Sequence, residues 1–181
     1  MTLICWNLVY LRELVAGGVS AGSLASDLGV WSWQGPLVAP RLTELLEQRW
    51  RRLSTDERNA VEATALAEPV ELGLLGAVAG LANVDAAVNH GLLHVERGER
   101  GFRVRVAQPL YGECLREQIP VVRAQIIYGR LADALTQAGV HNSGDHLTLV
   151  GWRVAANQPV SATDLVAAAR AAHGRFDHRM A

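Results

Sequence analysis

The chain carries six histidines and two cysteines, the residue types from which a metal site or a nucleophilic centre would be built. Their spacing argues against either. His90 and His94 would share one face of a continuous helix, but Gly91 lies between them and ends a helix. His141 and His146 straddle a loop and a helix start, and His173 and His178 are spaced poorly for joint ligation. Neither Cys5 nor Cys114 lies near a histidine in sequence, so no zinc-type motif is present and no metal is expected. Serine, histidine and aspartate all occur, yet no G-x-S-x-G elbow does. Cys114 falls in an apolar helical stretch and reads as a small buried residue rather than a nucleophile. All 17 basic residues are arginine. Without lysine, neither a G-x-x-x-x-G-K-[ST] phosphate loop nor Schiff-base chemistry is open to this chain. No enzymatic activity and no cofactor are expected from these residues.

Binding chemistry is the other possibility. Arg97, Arg100, Arg103 and Arg105 cluster around a polar turn and are placed to touch phosphates, but Glu96 and Glu99 dilute them. The preceding helix, Val84 to His90, offers Asp85, Asn89 and His90 with no arginine. A DNA-reading helix presents Arg, Lys, Asn or Gln to base edges and sets cations against phosphates. The net charge is -1, so no global basic footprint supports nucleic acid. A solvated hairpin of mixed charge fits better than a DNA-reading wing, which stands as the alternative. Trp31 and Trp33 alternate with Ser32, so both indoles point to one face of a small hairpin, a candidate docking patch for a protein partner.

These residues need elements to hold them. Asn7 to Ala16 reads as a helix ended by Gly17-Gly18, and residues 22–35 as a hairpin. Pro40 to Leu53 carries Leu42, Leu45, Leu46, Trp50 and Leu53 on one helical face. Ser54-Thr55-Asp56-Glu57 is a capping box that starts a helix to Ala67. A helix from Val70 to Gly80, with Leu72, Leu75, Val78 and Ala79 inward, precedes the helix Val84 to His90. Leu92 to Val95 then forms a strand. Glu96 to Gly101 forms the turn, and a return strand places Phe102, Val104 and Val106 inward. Three helices followed by a strand pair is the pattern of a winged helix. Beyond Gln108-Pro109 come helices to Glu117, from Pro120 to Ala138, from Asp145 to Ala156, and from Ser161 onward, spaced like the start of a helical-repeat array. The fold class is therefore mainly α: lid-like helices with a small hairpin over 1–53, a winged helix over 54–118, and repeat-like helices over 119–181.

Half of the 181 residues are hydrophobic and 19% are charged, enough apolar material for a sizeable core. The opening MTLICWNLVYLRELV lacks a basic n-region and is interrupted by Arg12 and Glu13, so neither a signal peptide nor an anchor is expected. Two unpaired thiols fit a reducing compartment, and the expectation is a cytoplasmic protein with no membrane partner.

The segments YLRELV, a hairpin ending GPL, LTELLEQRWRRLSTDERNAVEATALAEP, GLLHVERGERGFRVRVAQPLYGECL and RAQIIYGRLADAL occur in an order that resembles the middle of the large LuxR-type ATP-binding transcriptional regulators, members of the STAND signal-transduction ATPases. The resemblance implies the end of an ATPase lid, a winged helix and the first tetratricopeptide-like helices of a bacterial transcriptional regulator. The ATPase core and the LuxR-type DNA-binding domain would lie outside this sequence. It places Asn7 in Trp6-Asn7-Leu8-Val9, where relatives have Gly-Asn-Pro-Leu, and Gln108 and Pro109 in Gln108-Pro109-Leu110, where relatives have His-Pro-Leu, on the nucleotide side. Glutamine offers an amide but no charge to a phosphate. ATP or ADP would thus be met only together with a partner ATPase core. The implied role is coupling such a core to sensor repeats in trans, and the implied partner is a protein, either an ATPase core or a second copy of the chain.

Overall fold

The computed structural model describes residues 15–27, 29–34, 48–98 and 101–174. The chain is mainly helical, with two small antiparallel sheets. Strands β1 (Leu24–Asp27) and β2 (Val30–Trp33) form a hairpin in register Leu24↔Trp33 to Asp27↔Val30. A helical stretch at 15–20 precedes it. Trp33 lies so close to this stretch that a Cβ at Gly18 would sit 2.6 Å from the indole ring, so a glycine is what lets the hairpin seat there. The expected helix over 40–53 falls largely outside the described residues, which pick it up as helix at 48–50.

Helix α1 (Thr55–Ala67) begins at the expected capping box: Glu57 N–H donates to Ser54 Oγ at 3.2 Å, and Ser54 N–H donates to Glu57 Oε2 at 2.6 Å. Its buried face is Ala60, Val61, Ala63, Thr64 and Ala65. The small residues let neighbouring elements approach closely, and the one buried hydroxyl, Thr64 Oγ1, donates back to Ala60 O at 2.8 Å.

Two expectations are corrected next. Val70 and Glu71 are not helical. They form β3 (Val70–Glu71), paired antiparallel with Val104 and Arg103, because a strand partner distant in sequence satisfies their backbone. Helix α2 (Leu72–Ala79) starts only afterwards and buries Leu74 and Leu75. Gly80, at φ +83°, turns the chain directly into α3 (Leu81–Asn89), bent 107° from α2 and begun earlier than the expected Val84. At its end Gly91 takes φ +69°. Its N–H bonds Val88 O at 2.8 Å and Leu92 N–H bonds Ala87 O at 3.0 Å, a Schellman closure that needs the left-handed residue.

Strands β4 (Leu93–Gly98) and β5 (Gly101–Val106) pair from Leu93↔Val106 to Gly98↔Gly101, giving a sheet of order β3-β5-β4. The ladder therefore runs through Glu96 and Arg97, which the sequence placed in the turn. Val104 and Val106 are buried as expected, and Leu93 with them, whereas Phe102 is 57% exposed. Its side chain falls two cross-strand pairs beyond Val95↔Val104, at the rim of the sheet beside Leu72 and Leu81.

Helix α4 (Pro109–Gln118) has proline in its first turn and turns Tyr111, Cys114 and Leu115 inward. Helix α5 (Val121–Ala138) adds Ile127 and Leu131 to the same core, which runs without a break from Leu53. Helix α6 (Ser143–Ala155) is capped by Asn142, whose side chain accepts from Gly144 and Asp145. Helix α7 (Ala162–Gly174) follows Ser161, whose Oγ accepts from Asp164 N at 3.0 Å. Leu147, Val150, Ala168 and Ala172 form a second, smaller core between α6 and α7. Among the described residues no single helix is long and apolar enough to cross a membrane.

Candidate functional site

The outer face of the three-stranded sheet holds two of the four arginines singled out in the sequence, Arg103 and Arg105. Strand alternation puts Arg103 and Arg105 on the face opposite Val104 and Val106. Cross-strand register sets Arg105 against His94, and Arg103 against Glu96 on one side and Glu71 on the other. Arg105 Nε donates to Glu96 Oε1 at 2.7 Å, and this bond holds the Glu96 carboxyl below its ordinary value of 4.5. Arg97 is exposed and pairs with Phe102, on the other face of the ladder. Arg100 lies outside the described residues. The arginines are thus split between two faces, and the face holding two of them also holds Glu71 and Glu96.

Helix α3 adds no cationic surface. Asn89 Nδ2 donates to Asp85 Oδ2 at 3.1 Å, so the amide that could read a base edge is held by its own helix. His90 Nε2 stands 3.7 Å from Glu57 Oε1, and His146 Nε2 stands 3.7 Å from Asp164 Oδ1. Each histidine faces a helix-capping acid rather than a nucleophile. Among the described residues no group of three or more His, Cys, Asp or Glu side chains is gathered as metal ligands would be. Cys114 is buried, and that burial, with Glu117 and Glu113 nearby, pushes its thiol pKa up.

Gln108 and Pro109 sit where β5 passes into α4. Gln108 is the N-cap residue, but through its backbone: its carbonyl accepts from Tyr111 N at 2.9 Å and Gly112 N at 3.3 Å, with no side-chain cap. Pro109 is exposed. Asn7 lies outside the described residues, so only Gln108 and Pro109 of the nucleotide-side set are placed. Trp31 and Trp33 do share a face, but their surroundings differ. Trp33 packs against the 15–20 helix with its Nε1 buried, whereas Trp31, nearer the turn, is 63% exposed.

Sequence reasoning missed a polar joint behind this surface. Glu68, just after α1, accepts from Val106 N–H at 2.9 Å and from Arg116 Nη1 at 3.2 Å. Its carboxylate takes the place of a strand partner at the end of β5, where β3 has not yet begun. Arg116 Nη1 also donates to Ala65 O at 2.7 Å, and its Nη2 donates to Glu113 Oε1 at 2.7 Å. Burial works against the charged guanidinium, but the bonds to Glu113 and Glu68 outweigh it and raise the Arg116 pKa. Gly112 is part of the joint, since a Cβ there would come within 3.0 Å of Glu68 Oε1. Helix α5 is tied on in the same way. Arg123 bonds Glu62 Oε2 at 2.9 Å and also Asn59, and Tyr128 Oη donates to Leu66 O at 3.1 Å. The partners lie too far apart in sequence for any local pattern to pair them.

One shallow groove, of about 370 Å³, opens beside the sheet and is lined by Glu71, Leu72, Gly73, Leu81, Phe102 and Arg103. Leu81 is 59% exposed and Phe102 57%. Comparison of the chain with family models, curated proteins and solved structures returns no significant match.

Proposed function

We propose that this chain is a non-catalytic connector: a winged helix joined to the first helices of a repeat array, as in a LuxR-type STAND regulator, transmitting the state of an ATPase core to sensor repeats. The order α1-β3-α2-α3-β4-β5 supports the winged-helix reading. The observation that carries the connector role is the core shared between that unit and α5, reinforced by Arg123 and Tyr128. Motion of the three-helix unit must then carry α5 with it, which is what a rigid-body coupling element requires. The neutral outer face of the sheet supports a protein partner over a nucleic acid. An ATPase core of a LuxR-type regulator, supplied as a separate polypeptide, should bind the chain with different affinities in ATP and in ADP. Absent binding, or equal binding with both nucleotides, would overturn the proposal.

Arg103 and Arg105, side by side on the outer face of the sheet, favour a second reading as a free-standing DNA-binding module. That reading requires duplex binding that weakens steeply with salt and is lost in the Arg103→Ala, Arg105→Ala double variant. The connector reading expects no binding to duplex DNA at physiological salt, measured by fluorescence anisotropy.

A further inference from the structure

We propose that two copies of the chain join edge to edge through β4, antiparallel about a two-fold axis at Val95, so that their three-stranded sheets become one. β4 is the outer strand in the order β3-β5-β4, and among the described residues no strand lies along its other edge. The ladder decides which groups point out there. Leu92 O accepts from Ala107 N at 2.9 Å, so antiparallel alternation also turns the backbone of His94, Glu96 and Gly98 toward β5. Val106 N–H agrees, since it donates to Glu68 and not to Leu93 opposite it. Leu93, Val95 and Arg97 therefore turn both N–H and C=O outward, and no described residue bonds them. The strand pairs without a bulge from Leu93 to Gly98 and contains no proline, so neither device that usually blunts a sheet edge is present. What such a row of donors and acceptors fits is another strand.

The side chains say which strand. His94 and Glu96 share the outer face, two residues apart. When β4 pairs with a second β4 about Val95, His94 of each copy stands opposite Glu96 of the other, and Val95 stands opposite Val95. All three outward residues of each copy are then bonded, which gives about six main-chain hydrogen bonds. His94 and Glu96 meet at the sites of the new ladder that lack those bonds, where facing side chains come closest. Glu96 keeps Oε1 on Arg105 of its own copy, and its side chain is 40% exposed, so its second oxygen can accept from the imidazole. Sliding either strand by two residues would set Glu96 against Glu96 or His94 against His94, and would leave outward groups unbonded. The match is of β4 with itself, and it closes as a two-fold dimer because each copy spends the same edge. This inference goes beyond the connector reading and involves no ATPase partner.

Sedimentation equilibrium of the purified chain should show a monomer–dimer equilibrium with no larger species. Amide hydrogen exchange followed by NMR locates the contact. The Leu93, Val95 and Arg97 amides should be protected at concentrations where the dimer predominates and open where the monomer does, while the His94 and Glu96 amides, bonded to β5, stay protected in both. His94→Glu sets carboxylate against carboxylate twice and should weaken dimerisation about tenfold or more. The double variant His94→Glu, Glu96→His restores the opposition with the roles exchanged, and places its new carboxylate opposite Arg105. It should recover the native affinity to within about threefold. A chain that stays monomeric up to about 1 mM, a dimer in which the Val95 amide is as open as in the monomer, or a double variant that binds no tighter than His94→Glu would each overturn the proposal. The exchange measurement uses the native chain, so it decides the matter even where a variant fails to fold.

Discussion

Replacing Glu68 tests whether a side chain completes the sheet. In the native chain its two oxygens take Val106 N–H at 2.9 Å and Arg116 Nη1 at 3.2 Å. Glu68→Ala leaves the Val106 amide partly buried with no acceptor, which costs about 1–3 kcal/mol. The ion pair with Arg116 is partly exposed, 32% and 17% for the two side chains, so its share is discounted to about 0.5–1 kcal/mol. Arg116 is not stranded, because Ala65 O and Glu113 remain. The expected loss is therefore about 1.5–4 kcal/mol. Glu68→Gln keeps a carbonyl oxygen for the Val106 amide and should lose only about 1 kcal/mol. Urea unfolding followed by far-UV circular dichroism measures both. Adding Arg116→Met and the double variant isolates the coupling, expected at roughly 0.5–1 kcal/mol. The reasoning fails if Glu68→Ala is no worse than Glu68→Gln, or if both lie within about 0.5 kcal/mol of the native chain.

Two further outcomes are expected. Glu57 has its pKa lowered, first by the Ser54 backbone N–H and then by the Ser54 side chain. A depressed folded-state value means that its contribution to stability is present above the ordinary 4.5 and is lost as pH falls through the lower folded value. An NMR pH titration should find Glu57 titrating below 4.5, and Ser54→Ala should move it back toward that value. Cys114, 2% exposed and with its thiol pushed up by burial, should resist a maleimide at neutral pH in the folded chain and react once the chain is unfolded in urea. Peptide mapping by mass spectrometry reads this at Cys114, and rapid labelling of the folded protein would contradict the burial.

What the sequence disclosed was local. Ser54 and Glu57 signal a capping box within four residues, and the helix appears at that point, from Thr55 to Ala67. Pro120 and Gly139 bracket α5 in the same self-contained way. The local pattern reads Val70 and Glu71 as helix, but their conformation is decided by Val104 and Arg103, which no window around Pro69 contains. Alternation puts Phe102 on the inner face but does not tell how deeply that face is buried at the rim, where Phe102 is 57% exposed. The candidate surface divided along the same line. The shared face of Trp31 and Trp33 followed from alternation, but their unequal exposure depends on where the 15–20 helix ends. The Glu68–Arg116 joint links residues 48 apart, and both looked like ordinary surface charges until the chain was folded.

Helix α5 is built into two neighbourhoods along one continuous rod. Its buried side is set into the main core along most of its length, from Ile127 and Leu131 to Ala134 and Leu135, and is tied to α1 by Arg123 and Tyr128; α6 packs on it as well, with Arg153 Nη2 reaching Thr136 Oγ1 at 3.3 Å. Eighteen residues of α-helix make a beam of about 27 Å, free of glycine except at Gly129. Clamped along its length, such a beam moves as one piece. Any rotation of the three-helix unit therefore arrives undiminished at whatever is stacked on the beam from α6 onward.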